Sequence, residues 1–135
     1  LVNNKKYDGV VFHRVIDGFM AQTGDVKFGN VFLGFSPEVV GTGGSDLDDL
    51  KSEFSNIPFD RGIVGMARAQ NPNSANSQFF IMLEDGHFLN GNYTVFGKVI
   101  SGMNVVDNIK KGDPDKNGMI DKNPDYMSKV LIKNK

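Results

Sequence analysis

The chain has 135 residues, with 15 basic and 16 acidic side chains for a formal net charge of -1, and is 39% hydrophobic and 23% charged. That composition fits one globular domain with a real core and argues against disorder, and the balanced charge offers neither a basic excess for nucleic acid nor a like-charge run for a membrane surface. Eleven Phe stand beside three Tyr and no Trp, and the absence of Cys removes disulfides, thiolate chemistry and cysteine-based zinc sites while leaving the redox compartment open.

In chain order, Val10 to Ile16 is rich in β-branched and aromatic residues and predicts a strand. An Asp17-Gly18 turn leads to a second strand over Phe19 to Gln22. Gly24 to Ser45 is glycine-rich and aperiodic and ends in Gly41-Thr42-Gly43-Gly44; a loop of that length inside a compact domain is usually functional. Strands are predicted over Gly62 to Ala69 and Gln78 to Leu83, flanking the polar loop QNPNSANS, and over Tyr93 to Ile100. Met103, Val106 and Ile109 predict a short amphipathic helix, with Ser101 as its cap and Gly112 beyond its lysine-rich end. Met127 to Ile132 predicts a last strand. With no repeat and no domain boundary, this is a mostly β chain, a barrel or a sandwich.

Strand alternation sorts the polar residues. Gln78, Phe80 and Met82 share one face and Phe79, Ile81 and Leu83 the other. Phe12, Arg14 and Ile16 are expected to share a face opposite Val11, His13 and Val15, and Met20 and Gln22 to point together. Each strand thus offers a face that mixes an amide or guanidinium with large apolar groups, which is what a peptide-binding groove needs.

The segments FHRVIDGFMAQTGD, GTGGSD, VGMARAQNPNSANSQFFIM and FLNGNYTVFGKVISGMNVVDNI occur in this order. Together they resemble the cyclophilin-type peptidyl-prolyl cis-trans isomerases, in a bacterial style, densely from Tyr7 to Lys110. The resemblance implies a closed eight-stranded antiparallel β-barrel with two capping helices and the active groove on its outside. Family members carry two strands and most of a helix before the segment that opens this chain. Residues 1–135 are therefore expected to be one cyclophilin-like domain, incomplete at its N-terminus, with Leu1 to Asn4 as the tail of that helix.

By the same resemblance, Arg14 matches the catalytic arginine and Gln22 the glutamine that orients it. Phe19, Met20, Phe80 and Leu89 match the proline pocket, Gln78 a contact to the substrate backbone, and Ala67 and Arg68 the segment that pairs with the bound peptide. Phe88 stands for a common Trp and Tyr93 for a common His, replacements that should weaken cyclosporin binding more than activity. Arg68 stands for Asn, Asp17 for Pro and Thr23 for Gly. The implied partners are proline-containing peptides and folding proteins, with no nucleic acid and no membrane. The expected compartment is the cytoplasm, with the periplasm as the alternative. A proline-peptide binding module without catalysis is the rival function.

Other signals are weaker. His13 reads as a satisfied core histidine and His87 as part of a polar loop, and two histidines without cysteine give no zinc site. No nucleophile elbow, phosphate loop or dinucleotide fingerprint is present, so no cofactor is expected. DPDKNGMID, Asp113 to Asp121, follows the first nine positions of a calcium loop, but the twelfth, which should be Glu, is Pro124. A solvated turn before the last strand is the favoured reading there.

Overall fold

A computed structural model describes residues 1–133. Its strands are β1 (Val10–Val11), β2 (Arg14–Ile16), β3 (Met20–Thr23), β4 (Ile63–Met66), β5 (Phe79–Met82), β6 (Val95–Lys98) and β7 (Tyr126–Met127). The main sheet is antiparallel in the order β2-β3-β5-β4-β6, and β1 pairs separately with β7. One short helix, α1 (Met103–Asp107), and single 3-10 turns at His87–Leu89 and Pro114–Lys116 complete the elements.

The expected closed eight-stranded barrel is not formed by the described residues: seven strands lie in two separate sheets. Closure requires every edge strand to find a neighbour. Among the described residues, the outer side of β2 meets the irregular segment from Gly112 to Met119, through the Arg14–Met119 bridge, a bond from Val15 N–H to the Gly118 carbonyl and one from Gly112 N–H to the Val15 carbonyl. The far edge, β6, pairs only with β4 among the described residues. Nor do Leu1 to Asn4 form a helical tail; they lie in turns, with Asn4 N–H bonded to the Leu1 carbonyl at 3.2 Å. Among the described residues a single α-helix stands where two were expected. It starts after Gly102, in the left-handed conformation at φ 83, rather than from a Ser101 cap.

The first predicted strand is divided. Val10 and Val11 belong to the small sheet, and Arg14 to Ile16 to the large one. The chain changes sheets at Phe12 and His13, where Phe12 N–H bonds the Asp125 carbonyl and the His13 carbonyl accepts from Ile120 N–H. Strict alternation fails at that step, so Phe12 does not share the face of Arg14. It packs instead with Val15, Ala21, Leu83 and Ile120. Beyond the step alternation holds. Ala21, Ile81 and Leu83 face this first cluster, while Ile16, Met20, Phe80 and Met82 face a second one around fully buried Phe59.

Two details let the strands approach. Gly65 leaves the space in which Phe59 and Phe80 stack at 5.7 Å, because a Cβ there would lie 2.7 Å from each ring. Gly24 passes so close to the Ser77 carbonyl that a Cβ would lie 2.4 Å from it, and its φ of +99° suits only glycine. Thr23, the residue that departs from the family's glycine, is accommodated: it is buried in β3, and its Oγ1 donates to the Val11 carbonyl at 2.7 Å. This bond ties the main sheet to the small one. The last predicted strand contracts to Tyr126–Met127, and only Met127 lies within the predicted range.

His13 is 4% exposed, and its Nδ1 has no hydrogen-bond partner among the described residues, so it is a buried histidine but not a fully satisfied one. Burial, the largest influence, lowers its pKa to about 4; Asp25 pulls it up and Arg14 pushes it down. The unfolded chain, with an ordinary value of about 6.5, therefore binds more protons between the two pKa values, and stability must fall as pH drops through that window. Between pH 7.5 and 4.5 the wild type should lose about 2–3 kcal/mol more than His13→Gln, as read by urea unfolding of both proteins at each pH. Parallel pH profiles for the two would show that His13 is not held neutral.

Candidate active site

Arg14 opens β2 directly opposite Gln22 on β3, and Gln22 in turn lies opposite Phe80 on β5. Antiparallel register alone therefore sets a guanidinium, an amide and an aromatic ring side by side on three adjacent strands. Met20 follows on the same face of β3. Gln78 lies just before β5, and Ala67 and Arg68 just after β4. Phe88 and Leu89 come from the 3-10 turn, whose carbonyl and amide groups hold Asn90 and Leu89 locally, and Tyr93 precedes β6.

Nine of the eleven candidate residues surround one cavity of about 140 Å³: Arg14, Phe19, Met20, Gln22, Ala67, Arg68, Phe80, Leu89 and Tyr93. This is small beside the roughly 300–1,000 Å³ usual for whole ligands and suits a single side chain. Its floor is apolar and closely packed. Phe80 is buried between Phe59, stacked beneath it, and Tyr93, which meets it edge-on at 5.9 Å. Gln78 lines an adjoining open groove of about 450 Å³ that shares Gln22, Ala67 and Arg68 with the first. Phe88 is 72% exposed and lines neither space; its ring leans on Phe19 at 5.4 Å, at the rim.

The polar groups form one connected set. Arg14 Nη1 donates to Gln22 Oε1 at 3.1 Å, Gln22 Nε2 donates to Gln78 Oε1 at 3.0 Å, and Gln78 Nε2 donates to the Gly41 and Gly43 carbonyls, both at 2.9 Å. From the other side, Arg14 Nε donates to the Asn117 carbonyl and Nη2 to Asn117 Oδ1, both at 2.9 Å. Of the five guanidinium N–H groups, three are thereby committed. Partial burial draws Arg14 below the ordinary guanidinium range, opposed by Tyr93; a group this basic keeps its charge near neutral pH.

Arg68 is folded back rather than extended. It donates to the Asn92 carbonyl at 2.7 Å through Nη2 and lies 4.6 Å from the centre of the Tyr93 ring, forming a wall between the two spaces.

Sequence reasoning missed Asn117 as a partner of Arg14, seeing it only as a position of the calcium-like loop. It missed Phe59 too, which carries no motif and is found only by its burial. In the loop, Asp113 Oδ1 accepts from Asp115 N–H, Asn117 Oδ1 is engaged by Arg14, and Asp121 lies 3.8 Å from Lys116. Asp113, Asn117 and Asp121 thus have other partners, and Asp113, Asp115 and Asp121 do not form a cluster of converging acidic groups. Among the described residues, the side chains that do converge are Asp60, Asp85 and His87, with ligand atoms within 4.8 Å of one another. All three are exposed, and His87 Nε2 pairs with Asp60 at 2.7 Å.

Residues 1–133 match the family model described as cyclophilin type peptidyl-prolyl cis-trans isomerase/CLD. A probable peptidyl-prolyl cis-trans isomerase of Brucella abortus (strain 2308) is 66% identical over 132 residues, covering 98% of this chain and 67% of that protein. Among solved structures, a Cryptosporidium parvum cyclophilin type isomerase determined in the presence of the dipeptide Ala-Pro matches all of this chain and 81% of its own. It has 30% identity and a TM-score of 0.78. The cyclophilin AquaCyp293 of Hirschia baltica matches 95% of this chain with 26% identity and a TM-score of 0.68; this chain spans 60% of it. With a family model matched over nearly its whole length and these relatives beside it, the chain belongs to the cyclophilin-type peptidyl-prolyl cis-trans isomerase family.

Proposed function

We propose that the chain accelerates rotation about X-Pro peptide bonds, with the proline ring in the cavity floored by Phe80 and Arg14 as the electrostatic catalyst. The observation that carries this reading is the way Arg14 is held. Three of its donors are tied from two sides, while the remaining two N–H groups belong to a charged group on the wall of a small cavity whose floor is apolar. The solved relative with Ala-Pro supports the choice of a proline-containing peptide as ligand.

The reaction makes and breaks no bond. Resonance sets the barrier to rotation at roughly 18–20 kcal/mol, and at the twisted state the proline nitrogen loses conjugation and regains its lone pair. A fixed cation that donates toward that nitrogen interacts more strongly with the twisted state than with either planar isomer, and only such differential stabilisation accelerates the step. Gln22 holds the guanidinium rather than doing chemistry itself. Phe19, Met20, Leu89 and Tyr93 supply apolar surroundings in which the charge is less screened than in water. Ala67 N–H is already bonded to the Gln78 carbonyl, so a peptide paired along Ala67 and Arg68 would use their other backbone groups. Phe88, standing at the rim, and the folded Arg68 would touch the residues flanking proline.

Two experiments test this. Arg14→Ala should retain its fold and lose about a hundredfold in kcat/KM on a proline peptide, the scale seen when one positioned donor is removed. The measure is exchange between cis and trans peaks of the peptide by NMR. Peptide-induced shifts at Phe80 and Gln78 in the wild type without faster exchange would favour the binding module instead. Asn117 sits at φ 56, where glycine is at ease, so Asn117→Gly removes the Oδ1 contact without backbone strain. It should change stability by less than about 1 kcal/mol. It should also shift the Arg14 Nη2 resonances, the group that donates to Oδ1, and lower kcat severalfold. Unmoved Nη2 resonances would show that the Asn117 side chain does not hold the guanidinium.

A further inference from the structure

We propose that Asp25 is a positioning residue for Arg14, acting across the glycine loop through the two glutamines. Its functional consequence rests on the isomerase reading above. Asp25 is fully buried, and no cation pairs with it among the described residues. Instead its carboxylate is saturated by backbone donors from two separate segments. Oδ1 accepts from Lys27 N–H at 3.1 Å and Phe28 N–H at 2.9 Å, and Oδ2 from Gly41 N–H at 2.7 Å and Gly43 N–H at 2.9 Å. One buried charge thus clamps the end of the long loop to its beginning. Burying a carboxylate costs many kcal/mol unless its lone pairs are filled, so the loop geometry and the charge enforce each other.

What the clamp holds is the origin of the chain that ends on Arg14. The same Gly41 and Gly43 whose N–H groups bind Asp25 turn their carbonyls to Gln78 Nε2. A carboxamide can present either end, and nothing in its shape decides which. Here carbonyls, which only accept, force the Gln78 NH2 toward themselves and leave Oε1 for Gln22. Gln22 must then offer NH2 to Gln78 and Oε1 to Arg14, which only donates. With the Gly41–Gly43 carbonyls released, Gln78 Nε2 loses both of its acceptors, so the amide is anchored by Gln22 alone and its position, and through it that of Gln22 against the guanidinium, is free to shift. A carboxylate is needed at position 25 because both of its oxygens meet two N–H groups; an amide would place a donor against donors on one side.

The test is Asp25→Asn, read in two ways: isomerase kinetics on a proline peptide, and the NMR resonances of Arg14 Nε–Hε and the Gln22 and Gln78 side-chain amides. The proposal expects kcat to fall about tenfold with a smaller change in KM, since misplacement of a catalytic group acts on the chemical step. All three resonances should move while those of the core residues Val15 and Met82 do not. A loop anchor with no link to Arg14 would change stability and the Gly41 and Gly43 amides only; kcat within twofold of wild type with unmoved Gln22 and Arg14 resonances overturns the proposal. Gly43→Ala disturbs the clamp from the other side, because the new Cβ would lie 2.4 Å from Asp25 Oδ1 and 2.8 Å from the Phe28 ring. It should shift the same resonances, and it decides the matter if Asp25→Asn does not fold. An inactive wild type would overturn the isomerase reading alone, and the resonances would still decide whether Asp25 positions Arg14.

Discussion

The site depends on a hydrogen-bond chain whose direction cannot be reversed. Arg14 donates at one end, the Gly41 and Gly43 carbonyls accept at the other, and the two glutamine amides between them have a single mutually consistent orientation. A guanidinium on a flexible stem is of little use to a reaction that demands charge at one point, because ordering it at the moment of reaction costs conformational freedom. Here that ordering is done in advance, by Gln22 on one side and Asn117 on the other. Elements far apart in the chain are thereby made to serve one side chain.

The sheet supplies the frame for that chain. β2, β3 and β5 lie side by side, so Arg14 and Gln22, eight positions apart, meet directly across the strands, and Gln22 reaches the side chain of Gln78, fifty-six positions on, just before β5. The two apolar clusters then divide the work. One, around Phe12, Val15 and Leu83, lies on the face away from Arg14 and joins the main sheet to α1. The other, around Phe59 and Phe80, stiffens the floor of the small cavity. The change of sheet at Phe12 and His13 lets one short apolar run serve both: its first half joins the small sheet, and its second half carries Arg14 to the edge of the large one. His13, at that step, is buried without a partner for Nδ1 among the described residues.

Much of this was legible in the amino-acid order. Period-2 alternation correctly separated Phe80 and Met82 from Ile81 and Leu83, because β5 is continuous and both of its faces are covered. The same rule misplaced Phe12, because alternation assumes one sheet and the chain leaves one sheet for another there. Helix capping from Ser101 failed because Gly102 in the left-handed conformation starts α1 without a side-chain cap. The resemblance led to a closed barrel; the described strands leave edges that do not meet. Thr23 departs from the family's glycine, and its hydroxyl finds the Val11 carbonyl.

The sequence by itself determined the family and the residue types that gather at the groove, because those rest on local order: the strand periods, the Asp-Gly turn, and motifs long enough to be specific. Only the tertiary structure decided which groups hold Arg14. Asn117 lies 103 positions away, inside a segment whose spacing suggested a metal loop, and Gly41 and Gly43 reach Gln78 from a loop with no period at all. Hydrogen-bond direction is a property of groups in contact. No run of residues along the chain encodes which end of a glutamine amide faces which neighbour.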